Sequence, residues 1–247
     1  MVLFGLVGYP LSHSWSAAWF SEKFNREGIT GHHYTLFPLQ NLADLPEMLQ
    51  VYPDLQGFNV TIPHKISIIP FLNELDDTAR DIGAVNVVKV IRNQDGIRLK
   101  GFNTDAMGFL QSLPDLLTHS KALILGSGGA SKAIAWALNR RGIEYLFVSE
   151  TKSGPGFIGY GQIDSQLLAD YTLIINTTPV GMFPDTDCAP PLPYLHISDR
   201  HFLYDLIYNP VETCFLSRGK QQQAQTRNGL SMLENQAEAS FRIFMDH

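Results

Sequence analysis

The sequence is short of cysteine, of charge runs and of long apolar stretches, and each shortage closes off a class of protein. Only Cys188 and Cys214 occur in 247 residues, and they form no pair with metal-ligand or redox spacing. Free thiols in a reducing compartment, the cytoplasm, are therefore expected rather than a disulfide framework. The eight histidines make no ligand-spaced cluster beyond the adjacent His32 and His33, so no metal is expected. Eighteen basic residues stand against 24 acidic ones, net -6, with no long run of either sign. That balance carries no nucleic-acid footprint, and an anionic substrate has to be met by local groups. No apolar run reaches membrane-spanning length. The opening MVLFGLVGYPLSH lacks a basic start and is broken by Gly8 and Pro10, so it reads as a first buried strand.

What is present is an ordinary globular composition, 45% hydrophobic and 17% charged, in a length that allows one large domain or two modest ones. Short apolar runs alternate with segments of helical period, the pattern of an α/β protein built on parallel sheets. Strands are expected near Leu3 to Val7, His33 to Phe37 and Gly57 to Ile62, with helices near Ala17 to Arg26 and Leu42 to Gln50. Gly28 closes the first helix. Val85 to Ile91 and Ile97 to Phe102 read as a hairpin turning at NQDG. From Lys121 the pattern changes: KALILGSGGASKAIAWALNRRG gives a strand, a glycine turn and a helix, and the strand EYLFVS follows. This opens a separate nucleotide domain. Leu173 to Asn176 and Phe202 to Asp205 extend its sheet. A last helix, Ser231 to Met245, carries a capping box in Ser231 and Glu234 and an apolar stripe of Leu233, Ala237, Phe241 and Phe244.

The turn GSGGAS carries the most chemistry per residue. Gly126 permits a tight turn, Gly128 lets backbone approach a pyrophosphate, and the following helix supplies free N–H groups and a positive dipole end. Ser131 stands where a third glycine or alanine is usual, and Ala130, Ile134, Ala137 and Leu138 form the buried stripe of that helix. The second strand runs out at Glu150, a carboxylate placed to accept from a ribose hydroxyl and to repel a 2′-phosphate, with Lys152 as a possible counterweight. A solvated surface glutamate is the plainer alternative.

Elsewhere the polar residues come in short groups. Ser12, Ser14 and Ser16 recur at spacing two, so an extended chain lines their hydroxyls along one side, although Ser16 also suits a helix cap. GFNVTIPHK puts Asn59 and Thr61 on one face of a strand that Pro63 stops, and then delivers Lys65. Reducing a ketone builds negative charge on oxygen, which a nearby cation can stabilise and protonate. A carboxylate partner is available in Asp105 of GFNTDAMG, although Asn103, Thr104 and Asp105 are all good cap residues. Asn86 in AVN is unremarkable alone. Gln236 places an amide within the stripe of the last helix, where it needs partners.

Taken in order, GYPLSHSWS, GFNVTIPHK, GAVNVV, GFNTDAMGF, GSGGASKA, IINTTPVGM, YDLIYNP and NGLSMLENQA resemble the shikimate dehydrogenase family over nearly the whole chain. The resemblance implies an α/β fold of two domains: a discontinuous substrate-binding domain, 1–105 and 229–247, and a Rossmann-like dinucleotide-binding domain, 106–228, with the active site in the cleft between them. It implies reversible reduction of 3-dehydroshikimate to shikimate by hydride from a nicotinamide cofactor, on the route to chorismate and the aromatic amino acids. Lys65 and Asp105 become the catalytic pair. Ser14, Ser16 and Tyr208 would hold the substrate carboxylate, and Thr61, Asn86 and Gln236 the ring hydroxyls. Gly126, Ser127, Gly128, Gly129 and Ala130 would hold the pyrophosphate, with Thr177, Leu206 and Gly229 on the nicotinamide side.

One departure touches the cofactor. Members that prefer NADP typically carry Asn-Arg-Thr after the second nucleotide-domain strand, and this chain reads Ser149, Glu150, Thr151. NADP follows from the resemblance and NAD from Glu150. The glycine-rich TKSGPGFIGYGQID also stands where a helix is expected. The partners expected are the small substrate alone, with no nucleic acid or membrane, in a monomer or homodimer. Two alternatives stay open: a non-catalytic nucleotide or metabolite sensor on the same fold, and a quinate/shikimate dehydrogenase.

Overall fold

The computed structural model describes residues 1–11, 14–94, 96–114 and 121–246, so Ser12 lies outside the described residues. The chain divides into two compact units, Met1–Thr104 with Gln236–His247, and Asp105–Asn235.

The first unit is built on a six-stranded sheet whose strands are β1 (Val2–Gly8), β2 (His32–Pro38), β3 (Leu55–Val60), β4 (Glu74–Leu75), β5 (Val87–Asn93) and β6 (Gly96–Phe102), in the order β2-β1-β3-β5-β6-β4. β1 runs parallel to β2 and β3, while β5 is antiparallel to β3 and β6. The β5–β6 hairpin is the expected one, closed by the Asn93 and Gly96 pair, with Asp95 outside the described residues. Successive side chains of β1 go to opposite faces. Leu3 and Val7 join one core with Leu45, Phe58 and Ile68, and Phe4 and Leu6 join another with Phe20, Phe24 and Tyr34. Both faces are covered, which is why this strand is apolar almost throughout.

Helices α1 (Ser16–Arg26), α2 (Leu45–Val51) and α3 (Asp77–Ile82) flank this sheet. Phe20 and Phe24, one turn apart, bury one face of α1, and the Phe20 ring stacks on Tyr34 at 4.3 Å. The helix expected over Leu42 to Gln50 is a 3-10 turn, Leu42–Asp44, running into α2. β3 stops at Val60 rather than Ile62, so Thr61 lies just past the strand, its N–H on the Val7 carbonyl at 2.9 Å. β5 starts at Val87 because the Val85 N–H is spent on the Lys65 carbonyl at 2.7 Å.

The second unit carries a six-stranded sheet of β7 (Ala122–Leu125), β8 (Tyr145–Val148), β9 (Phe157–Ile158), β10 (Leu173–Asn176), β11 (Phe202–Asp205) and β12 (Gln225–Arg227), in the order β12-β11-β10-β7-β8-β9. All five pairings are parallel. The chain winds outward from β7 in both directions, so the strand order reverses between β7 and β10. In such sheets ligands bind beyond the carboxyl ends of the strands at that reversal. The helices are α4 (Asp105–Ser112), α5 (Gly129–Arg140), α6 (Ser165–Asp170) and α7 (Cys214–Gln221). The buried stripe of α5 begins at Ser131 rather than Ala130: Ser131 is fully buried and Ala130 only partly so. A small side chain is needed where helix and sheet approach closely, and the Ser131 hydroxyl satisfies itself on the Gly128 carbonyl at 2.7 Å.

The last helix, α8 (Leu230–Met245), starts one residue before the expected cap. The Asn228 side chain accepts from the Leu230 N–H at 3.3 Å, so Ser231 sits inside the first turn instead of capping it. Ala237, Phe241 and Phe244 are buried as the pattern predicts, but Met232 takes the buried place expected of Leu233. Phe244 stacks on Phe4 at 4.7 Å, and Glu238 pairs with the buried Lys23 at 2.6 Å. Among the described residues, no helix is long and apolar enough to cross a membrane.

Candidate active site

In the first unit a run of buried amides and hydroxyls crosses the sheet. The Tyr34 hydroxyl donates to Asn59 Oδ1 at 2.8 Å, and Asn59 Nδ2 donates to Ser240 Oγ at 3.0 Å. Ser240 donates to the Gln236 carbonyl at 2.7 Å, which uses its single hydrogen. The 3.1 Å contact between Thr104 Oγ1 and Ser240 Oγ is therefore donated by Thr104. Asn86 closes the chain: Nδ2 donates to Thr104 Oγ1 at 2.9 Å and to Gln236 Oε1 at 3.4 Å, and Oδ1 accepts the Thr104 N–H at 2.7 Å. Burial pushes the Tyr34 phenol well above its ordinary value, and a hydrogen bond with Ser16 offsets this in part. The phenol thus stays a neutral donor.

These bonds locate the expected residues. Lys65 is pinned through its carbonyl to Val85, the neighbour of Asn86, and the Asn86 carbonyl accepts the Val60 N–H at 2.8 Å, next to Thr61. Thr61, Lys65, Asn86 and Gln236 are so drawn to one end of β3, and Ser16 joins them through Tyr34. Ser14 Oγ accepts the Ser16 N–H at 3.3 Å. The two serines do not share an extended strand, because Trp15 already has helical backbone angles and Ser16 is the first residue of α1. Asn103 Nδ2 donates to the Ala84 carbonyl at 2.9 Å, and the Thr104 hydroxyl belongs to the network. Asp105 and Tyr208 belong to the second unit, where Asp105 is buried and opens α4.

In the second unit the glycine turn lies at the reversal of strand order. Gly126 has φ +111, and a Cβ there would meet Thr177 Oγ1 at 2.7 Å, so the turn needs glycine and brings Thr177 against it. Thr177 Oγ1 donates back to the Leu125 carbonyl at 2.6 Å. A Cβ at Gly128 would meet nothing within 4 Å, and Gly128, the N-cap residue of α5, offers no side-chain cap. Open space over uncapped amides fits a bound phosphate group. Gly129 and Ala130 form the first turn of α5 behind it. Glu150 and Thr151 are exposed beyond the end of β8. On the other side of β10, Leu206 donates its N–H to the Asn176 carbonyl at 3.0 Å, and the Gly229 N–H donates to Ile207 at 3.0 Å. A Cβ at Gly229 would stand 2.0 Å from the Leu206 carbonyl oxygen.

One buried carboxylate organises that loop. Asp205, fully buried, accepts from the Ile207 N–H at 3.0 Å, from Thr213 Oγ1 at 2.6 Å and from Asn176 Nδ2 at 3.1 Å. Burial pushes its carboxyl up to about 6 against these three donors. Among the described residues there is no group of three or more His, Cys, Asp or Glu that could hold a metal.

Residues 6–88 match the family model for the shikimate dehydrogenase substrate binding domain. A shikimate dehydrogenase (NADP(+)) of Methanosphaera stadtmanae is 36% identical over 97% of this chain and 90% of its own length. The chain belongs to the shikimate dehydrogenase family. Solved members of the family have the same fold. Shikimate dehydrogenase 1 of Peptoclostridium difficile matches with a TM-score of 0.85 at 34% identity, covering all of this chain and 92% of the other. Shikimate 5-dehydrogenase of Thermus thermophilus, solved in complex with NADP(H) and shikimate, matches with a TM-score of 0.84 at 31% identity, covering 99% and 94%.

Reasoning from sequence missed Tyr34 and Ser240 as members of the buried network, and Asp205 as the carboxylate that organises its loop. Tyr34 and Ser240 fall at core positions of a strand and a helix, where the pattern only says "buried". A polar side chain at such a position was the available signal, since it has to find partners nearby.

Proposed function

We propose that this protein reduces the ring ketone of 3-dehydroshikimate to shikimate, reversibly, with NADP as its nicotinamide cofactor. Residues 1–105 and 229–247 then serve as the substrate domain and 106–228 as the dinucleotide domain. What supports the reading most is the meeting of Lys65, Thr61, Asn86 and Gln236 at one end of β3, in a chain whose full-length relatives bear the shikimate dehydrogenase name. The NADP in those names favours that cofactor over NAD.

Each residue has a defined task. Ser14 and Ser16, with Tyr208, hold the substrate carboxylate through their hydroxyls. Thr61, Asn86 and Gln236 bind ring hydroxyls. The nicotinamide supplies the hydride when bound. Lys65 stabilises the negative charge growing on the ketone oxygen and donates the proton that completes the alcohol. Asp105 supports the lysine in this role and orients a substrate hydroxyl. Gly126, Ser127, Gly128, Gly129 and Ala130 receive the pyrophosphate on backbone amides. Thr177, Leu206 and Gly229 border the nicotinamide, and Glu150 and Thr151 border the adenosine ribose.

A steady-state assay with shikimate and with quinate, each against NADP+ and NAD+, tests the reading. Turnover of shikimate with NADP+ at the highest kcat/KM of the four pairs is the expected result. Absence of turnover with every pair would leave a sensor in place of an enzyme, and a preference for quinate would reassign the substrate.

A further inference from the structure

A lysine that must meet one oxygen atom carries its charge on a flexible stem, so its aim depends on how firmly its backbone is held. Around Lys65 most of that hold is backbone to backbone. The Thr61 N–H donates to the Val7 carbonyl at 2.9 Å and the Tyr9 N–H to the Ile62 carbonyl at 3.0 Å. The Thr61 carbonyl accepts the His64 N–H at 2.9 Å, and the His64 carbonyl accepts the Ile68 N–H at 3.0 Å. No side chain takes part in these bonds, so many sequences could keep them.

His64 adds a tie of another kind, and the roles above leave it unused. Its side chain is buried, and Nε2 lies 2.6 Å from the carbonyl oxygen of Leu39, just past the end of β2. A carbonyl only accepts, so Nε2 carries the hydrogen and donates it. Leu39 is itself fixed. Its N–H donates to the Phe37 carbonyl at 2.8 Å, and its side chain packs on the core that holds Leu45 and Phe58. The imidazole thus ties the residue before Lys65 to a strand that the backbone bonds of the 61–68 segment do not reach.

We propose that His64 is a positioning residue for the reaction: through its bond to Leu39 the imidazole holds the backbone at Lys65, and with it the aim of the ammonium at the ketone oxygen. This role rests on the catalytic part given to Lys65 above. His64→Phe keeps a ring and loses the donor, whereas His64→Gln returns an N–H near the place of Nε2. Single-turnover oxidation of shikimate by saturating NADP+, followed by the absorbance of NADPH, separates the rate constant of the chemical step from the fraction of active protein. Misplacing a reacting group by about 1 Å can cost about a hundredfold, so the loss of one tie among several should lower the rate constant about tenfold. The amplitude and the KM for NADP+ should stay at the parent's values, and His64→Gln should recover most of the rate. Should His64→Phe fail to fold, His64→Asn, whose amide is too short to reach Leu39, gives the same reading. A donor-free variant that keeps the parent's rate constant overturns the proposal, as does a loss confined to the amplitude or one that glutamine does not relieve. A parent that forms no NADPH from shikimate overturns the catalytic reading of Lys65 itself, and this role with it.

Discussion

Replacing Asp205 by asparagine should remove a pH dependence of stability whose sign runs against the usual one for a carboxylate. Three donors converge on Asp205 and favour its charged form, but full burial opposes charging more strongly and lifts the carboxyl from an ordinary 3.8 to about 6. Between those two values the folded chain holds a proton that the unfolded chain has released. Stability from this group is therefore fully present below about pH 4 and is lost as pH rises through about 6. At about 1.4 kcal/mol per pH unit, the gap between 3.8 and about 6 amounts to about 3 kcal/mol. Asp205→Asn keeps the shape and has nothing to titrate. Urea unfolding of both proteins across this range should give a stability difference, parent minus variant, that falls by up to about 3 kcal/mol with rising pH. Carbon-13 titration of the Asp205 carboxyl in the folded protein gives the same quantity directly. A flat difference, or a carboxyl that titrates near 4, would refute the claim that burial outweighs the three donors.

Further outcomes follow from single contacts. Lys65→Ala should lower turnover by orders of magnitude while shikimate binding stays measurable by calorimetry, and near-parental activity would reject its catalytic role. Gly229→Ala puts a methyl 2.0 Å from the Leu206 carbonyl oxygen, where the neighbour is backbone and has little room to move. It should cost about 1–3 kcal/mol in urea unfolding and raise the KM for NADP+, and an unchanged value of both would show that the two loops are not packed as described. Phe244→Ala removes a ring stacked on Phe4 in a buried cluster and should cost about 3–5 kcal/mol, read from the urea midpoint. Less than about 1 kcal/mol there would mean that the end of α8 is not part of the core.

The parallel second sheet was the most legible part of the sequence, because its signals are local and agree with one another. β10 and β11 run over the residues that the apolar runs mark, and the turn between β7 and α5 carries its own glycine requirement at Gly126. Boundaries were less legible where a distant partner takes the hydrogen bond. The N–H groups of Thr61 and Val85 go to Val7 and Lys65, and neither partner is visible from the run of residues around them. The start of α8 shifted for a similar reason, since Asn228 offers a cap before Ser231 can. Ser131 shows a local rule giving way to packing: a hydroxyl is acceptable at a fully buried position once Gly128 accepts its proton. The chemistry of Lys65, by contrast, was legible only as a residue type. Its setting comes from strands far apart in the chain.

Under the proposed roles of Asn86 and Gln236, that setting accounts for how one ring substituent could decide a substrate. A hydrophobic pocket rejects an added or missing hydroxyl only weakly, whereas a site of fixed polar groups rejects it strongly when a buried donor or acceptor is left unpaired. Asn86 and Gln236 are not loose amides waiting for a ligand. The orientation of Asn86 is set at both ends by Thr104, through a 2.7 Å and a 2.9 Å bond, and Thr104 is held in turn by Ser240, which Asn59 holds. Turning Asn86 to suit a differently placed hydroxyl would break bonds to buried groups, at about 1–3 kcal/mol for each one left unpaired. On the proposed roles, selectivity then resides as much in Tyr34, Asn59, Thr104 and Ser240, which fix Asn86, as in the residues assigned to the ring hydroxyls. Ser240→Ala should accordingly blunt the preference for shikimate over quinate more than it lowers the rate with shikimate, and an unchanged preference would show that the amides orient themselves.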